Sequence, residues 1–66
     1  MRSTDFWARL EQVFGSGYAA SVARDQVLSQ LGGRTITEAL AAGEPAKRVW
    51  QAVVAAYPDR VPARLQ

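Results

Sequence analysis

Three observations predict an all-α single domain, a small bundle of three main helices plus one short helix, with a helix-turn-helix-like C-terminal pair. Apolar residues recur with helical period near both ends of the chain, at Phe6, Leu10, Val13 and Phe14 and again at Val49, Trp50, Val53, Val54 and Tyr57. Glycine and proline, at Gly15, Gly32, Gly33, Gly43, Pro45 and Pro58, cut the chain into helix-length pieces. No stretch alternates apolar and polar residues as a half-buried strand would.

The first helix is expected to start at Ser3 or Thr4, both good N-cap residues, with Asp5 in the first turn where the helix dipole favours negative charge. Gly15 closes it, and Trp7 flanks its apolar stripe. Residues 18–31 then read as a long central helix. At about 100° per residue, Ala20, Ala23, Val27 and Leu31 take one face, Tyr18 and Val22 lie roughly opposite, and Leu28 falls on a third side. A helix apolar on several sides needs a neighbour on each, which places it in the middle of the bundle.

Gly32 and Gly33 stop that run. Thr35 and Glu38 make the T-x-x-E of a capping box, starting a short helix from Ile36 to Ala42 that Gly43 closes. Pro45 suits the first position of the last helix, since its missing N–H costs nothing there. Lys47, Arg48, Gln51, Ala52 and Ala55 fall on the face away from Val49 and Trp50. Pro58 ends the helix, and residues 57–66 are expected to be an extended or frayed tail, with Val61 and Leu65 available to fold back over a helix. The expected core is Trp7, Trp50, Phe6, Phe14, Val27, Leu31, Leu40, Val49 and Val53.

Composition narrows the function. The chain has 66 residues, 48% hydrophobic and 21% charged, which is ordinary for one globular domain and too apolar for a disordered one. A domain of that size buries only about 60% of its unfolded surface, so every large apolar residue must contribute to stability. There is no cysteine and no histidine, which argues against disulfides, thiol catalysis, most zinc sites and histidine acid–base chemistry. No apolar run is long enough to span a bilayer and MRSTDFWARL has no signal-peptide core, so a cytoplasmic protein that does not engage membranes is expected. The net charge of +2 arises entirely after residue 31.

Catalysis lacks parts. The carboxylates Asp5, Glu11, Asp25, Glu38, Glu44 and Asp59 are scattered, and no two form a convincing acid–base pair. Asp25 stands out on the central helix, where a partly buried carboxylate is expected to pair with an arginine or cap a backbone. The double glycine of LGGRT lacks the strand, lysine and spacing of a phosphate loop and reads as a turn. No enzyme activity and no cofactor are expected.

A sharper pattern is Ala39, Gly43 and Val49, which stand at the spacing of a helix-turn-helix: a small residue at the helix crossing, a glycine in the turn, an aliphatic residue on the second helix. Lys47, Arg48 and Gln51 would then face DNA. Against this, Glu44 puts a negative charge into the turn, and the net charge is low. The residues singled out as a binding surface are Lys47, Arg48, Gln51, Arg34 and Trp7.

DFWARLEQVFG, GYAASVARDQVLSQLGGRTITEALAAG, PAKRVWQAVV and a closing VP together resemble a family of small actinobacterial proteins catalogued as a domain of unknown function, DUF3046. The resemblance covers nearly the whole chain and brings no activity, catalytic residue or cofactor. Genes of the family often lie close to that of the main DNA recombinase, so the resemblance implies a link to DNA repair or recombination. Family members commonly carry an aliphatic residue where this chain has Glu44, a departure that weakens the DNA reading. The expected function is therefore a protein-binding or regulatory module with a protein partner, and weak DNA binding by the helix from Pro45 to Tyr57 is the alternative.

Overall fold

A computed structural model describes all residues, 1–66. Four α-helices, α1 (Ser3–Phe14), α2 (Ala19–Asp25), α3 (Ile36–Ala41) and α4 (Ala46–Ala56), surround one core. Between α2 and α3 lies an antiparallel pair of two-residue strands, β1 (Val27–Leu28) and β2 (Arg34–Thr35), joined through a 3-10 turn at Ser29–Leu31. A second 3-10 turn, Ala63–Leu65, ends the chain. The fold is thus mostly α rather than all-α.

The hairpin replaces the second half of the expected central helix. Asp25, Val27 and Ser29 are weak helix formers, and Gln26 leaves the helix in an extended conformation. Gly32 and Gly33 both have positive φ, and they turn the chain so that Val27 faces Thr35 and Leu28 faces Arg34. Leu28 and Leu31 enter the core while Val27, expected there, is 62% exposed. The spacing of Ala23, Val27 and Leu31 imitated a helical stripe, and two-residue strands are too short to show alternation.

Nor is α2 central. Its buried residues are Ala19 and Ala23, and Tyr18, next to it, is 71% exposed. The middle belongs to α4, which packs against α1, α3, β1 and the Ser29–Leu31 turn and buries Val49, Trp50, Ala52 and Val53. Ala52, expected on the solvent side, is therefore a core residue. Of the other expected core residues, Phe6, Leu31, Val49, Trp50 and Val53 are buried, and Trp7, Phe14 and Leu40 are half-buried against them.

Helix ends follow local chemistry, with small shifts. Arg2, not Ser3 or Thr4, is the N-cap of α1, and its backbone N–H donates to Asp5 Oδ2 at 3.4 Å. That hydrogen bond, followed by the Arg2 guanidinium, holds the Asp5 carboxyl below its ordinary pKa. A depressed carboxyl stabilises the fold above its unfolded pKa and stops doing so as pH falls through the folded value. The capping box forms as expected: Glu38 N–H donates to Thr35 Oγ1 at 3.1 Å, and Thr35 N–H donates to Glu38 Oε1 at 2.8 Å. Gly43, at φ 93°, closes α3 with a Schellman pair, Glu44 N–H to Ala39 O and Gly43 N–H to Leu40 O, each 3.1 Å. Pro45 is the N-cap of α4 rather than its first residue.

The tail packs instead of fraying. After Pro58 the chain turns with Arg60 and Val61 N–H groups on Tyr57 O, and Val61 and Leu65 become buried. The Trp50 indole N–H donates to Leu65 O at 2.7 Å in a buried setting. Its ring meets Phe6 edge-on, with centroids 5.8 Å apart. One side chain therefore joins α1, α4 and the C-terminal turn.

Two outcomes follow for stability. Trp50→Ala removes about 3–5 kcal/mol of packing, comparable with the whole stability of so small a domain, and should be largely unfolded by circular dichroism at room temperature. Trp50→Phe, which keeps most of the apolar contact and loses the hydrogen bond, should stay folded while the Leu65 and Gln66 amides exchange faster. A cooperative melt of the alanine variant close to wild type would contradict the central position of Trp50. Thr35→Ala should cost about 1 kcal/mol, lowering the melt without unfolding the chain. The fastest gain in hydrogen exchange should be at the Glu38 amide, which loses its acceptor; unchanged exchange there would show that the cap is not formed in solution.

Candidate functional site

The five residues singled out from the sequence separate into three places. Arg34 leaves β2 to bridge the hairpin to the turn before α4: its Nε donates to Leu31 O at 2.8 Å, and its Nη2 donates to Glu44 Oε2 at 2.7 Å. Arg48, one helical turn beyond Glu44, approaches the other carboxylate oxygen at 3.6 Å. Glu44 thus sits between two arginines. A DNA phosphate approaching the start of α4 would meet that carboxylate, and both cations are already engaged.

Lys47 and Gln51 lie elsewhere, exposed on α4, and line a groove of about 440 Å³ with Arg9 of α1, Met1, Trp50 and Gln66. No carboxylate side chain lines this groove. Trp7 belongs to neither group; half-buried, it packs edge-on against Phe6 with centroids 5.5 Å apart. Of the three residues at helix-turn-helix spacing, Ala39 and Val49 are fully buried and Gly43 makes the turn. The packing of α3 on α4 and the Schellman closure account for all three residues without a nucleic acid.

The carboxylates are mostly occupied with structure. Asp5 pairs with Arg2, Asp25 with Arg24, Glu44 with Arg34 and Arg48, and Glu38 caps α3. Asp25, expected partly buried, is exposed and pairs with its chain neighbour at 3.3 Å. No group of three acidic side chains is placed to hold a metal ion. No helix is long and apolar enough to cross a membrane.

A second groove, of about 400 Å³, was not singled out from the sequence. Phe14 at the end of α1, Tyr18, Val22 and Gln26 along α2, and Tyr57 and Arg60 after α4 line it. Phe14 and Tyr57 meet edge-on at 5.2 Å, and the Arg60 guanidinium carbon stands 4.9 Å from the Phe14 ring centroid. The signal was present in the helical wheel: Tyr18 and Val22 form a face that asks for cover, and the fold covers it only in part, with Val22 half-buried and Tyr18 71% exposed. Phe14 reads as plain core because it falls on an apolar stripe, yet it is the last residue of α1 and only half-buried, and Tyr57, on the stripe of α4, stands just past that helix and is half-buried too.

No curated protein and no solved structure matches the chain. The family described as Protein of unknown function (DUF3046) matches residues 1–64, nearly the full length. This 66-residue chain is a member of the DUF3046 family.

Proposed function

We propose that this DUF3046 protein is a non-enzymatic protein-binding or regulatory module of the cytoplasm, and that it receives its partner in the groove between α1, α2 and the turn after α4. The observation that carries this reading is the uncovered aromatic surface: Tyr18 is 71% exposed beside half-buried Phe14, Val22 and Tyr57. Tyrosine and arginine are the residue types that most often anchor protein interfaces, because they bury large area while keeping a polar end satisfied. In a domain so short of apolar area, an aromatic cluster left partly in water costs stability that a partner would restore. The family resemblance suggests DNA repair or recombination as the setting.

DNA binding by α4 is the second reading, and one observation favours it: Arg9, Lys47 and Gln51 share a groove without a carboxylate side chain. It stands second because Arg2, Arg24, Arg34 and Arg48, half of the basic side chains, are paired with carboxylates of the same chain. Few phosphates could be neutralised, and any duplex contact would fall steeply with salt.

The two readings separate by variant and by nuclease. A photo-cross-linking residue at Tyr18 should give discrete protein adducts in native lysate that persist after nuclease treatment and disappear when Val22→Arg fills the groove, with the thermal melt retained. Lys47→Ala with Arg48→Ala should leave those adducts intact. Adducts lost on nuclease treatment, or a labelled duplex bound at low salt by wild type and not by the double variant, would favour the DNA reading instead.

A further inference from the structure

We infer that the partner segment received in the Phe14–Tyr57 groove is acidic as well as apolar, a peptide stretch in which a large apolar side chain is accompanied by an aspartate or glutamate that pairs with Arg60. This rests on the protein-binding reading above and adds the chemistry of the partner. Three features of the groove support it.

The first is charge. Of the six lining residues, Arg60 alone carries a formal charge, and it is positive. No carboxylate of the chain lies within ion-pair distance of Arg60; its exposed neighbour Asp59 makes no pair, and Asp25, next to Gln26, is turned to Arg24. The groove therefore presents an unneutralised cation at its edge, whereas Arg34 and Arg48 have theirs neutralised by Glu44.

The second is position. A guanidinium 4.9 Å from the Phe14 centroid is held by the ring's negative face, which restrains a long side chain that would otherwise sample many rotamers. Its N–H donors remain unused, because Arg60 donates no side-chain hydrogen bond within the chain. A planar fork so restrained suits a carboxylate, which it can meet with two parallel hydrogen bonds.

The third is the apolar part. Phe14, Tyr18, Val22 and Tyr57 offer a cavity of about 400 Å³, room for one or two large side chains, with the Gln26 amide as a further polar group. A partner that placed only charge here would leave the aromatic surface in water, and one that placed only apolar groups would bury or strand the Arg60 charge. An apolar residue with an adjacent acid satisfies both.

Selection from a library of short random peptides displayed against the full chain tests this. Wild type should enrich peptides that combine a large apolar residue with Asp or Glu. Individual enriched peptides should weaken by about three- to fivefold on Arg60→Gln, as expected for a solvent-accessible ion pair, and selection against Arg60→Glu should shift to Lys or Arg. Arg64→Gln, an exposed arginine outside the groove, should change nothing. Peptides that need the groove, because Val22→Arg abolishes them, but show no acidic preference and no response to Arg60→Glu would overturn the acidic partner while leaving the binding module standing. Absence of any peptide sensitive to Val22→Arg would overturn both. A concentration-dependent dimer in sedimentation, dissociated by Val22→Arg, would show that the occupant is a second copy of the chain and would also overturn the inference.

Discussion

The hydrogen bond from the Trp50 indole to Leu65 O, with the edge-on contact between the same ring and Phe6, is the junction on which this small domain depends. A chain of 66 residues has few large side chains, so a single indole that touches three segments does what a second layer of core would do in a larger protein. The hydrogen bond matters because the indole is buried: an unpaired N–H there would carry a desolvation cost of about 1–3 kcal/mol. Docking of Leu65 and Val61 in turn fixes the turn from Pro58 to Val61, and that turn places Arg60 over Phe14. The groove proposed as the working surface is thus built by the same tail that Trp50 holds down.

The polar contacts divide the chain's arginines into two kinds. Arg34 acts as a strut between the hairpin and the α3–α4 turn, reaching a backbone carbonyl and Glu44 together. Its bond to Glu44 and the Schellman closure at Gly43 both fall on the short turn that joins α3 to α4. Glu44 gains a structural role in this arrangement, and the same residue discourages phosphate at the start of α4. Arg60 differs, since aromatic packing positions it while its charge stays free.

Much of the fold was legible in the sequence because it rests on local rules. Helices α1 and α4 follow from unbroken 3.6-residue stripes, and α3 follows from the Thr35–Glu38 box and Gly43. What stayed hidden depends on contacts between distant segments. Val27 and Thr35 meet only because Gly32 and Gly33 fold the chain back, so pairing overrode a convincing helical wheel over 18–31. Val61 and Leu65 were legible as residues able to fold back, but the hydrogen bond from Trp50 to Leu65 O that ties the tail down joins positions fifteen residues apart, which spacing does not carry. The site was less legible than the fold: Lys47 and Gln51 were found exposed together, Arg34 and Arg48 are tied to Glu44, and the aromatic groove draws on residues from three separate stretches.

The aromatic groove, rather than α4, is the surface proposed to meet a partner. Hydrogen exchange of the chain, alone and bound to a protein recovered by cross-linking at Tyr18, is the decisive measurement. Added protection should concentrate between Gly15 and Val22 and again between Tyr57 and Val61, the segments that line or flank the groove. Protection confined to the start of α4, from Ala46 to Gln51, with the groove segments unchanged, would contradict that proposal.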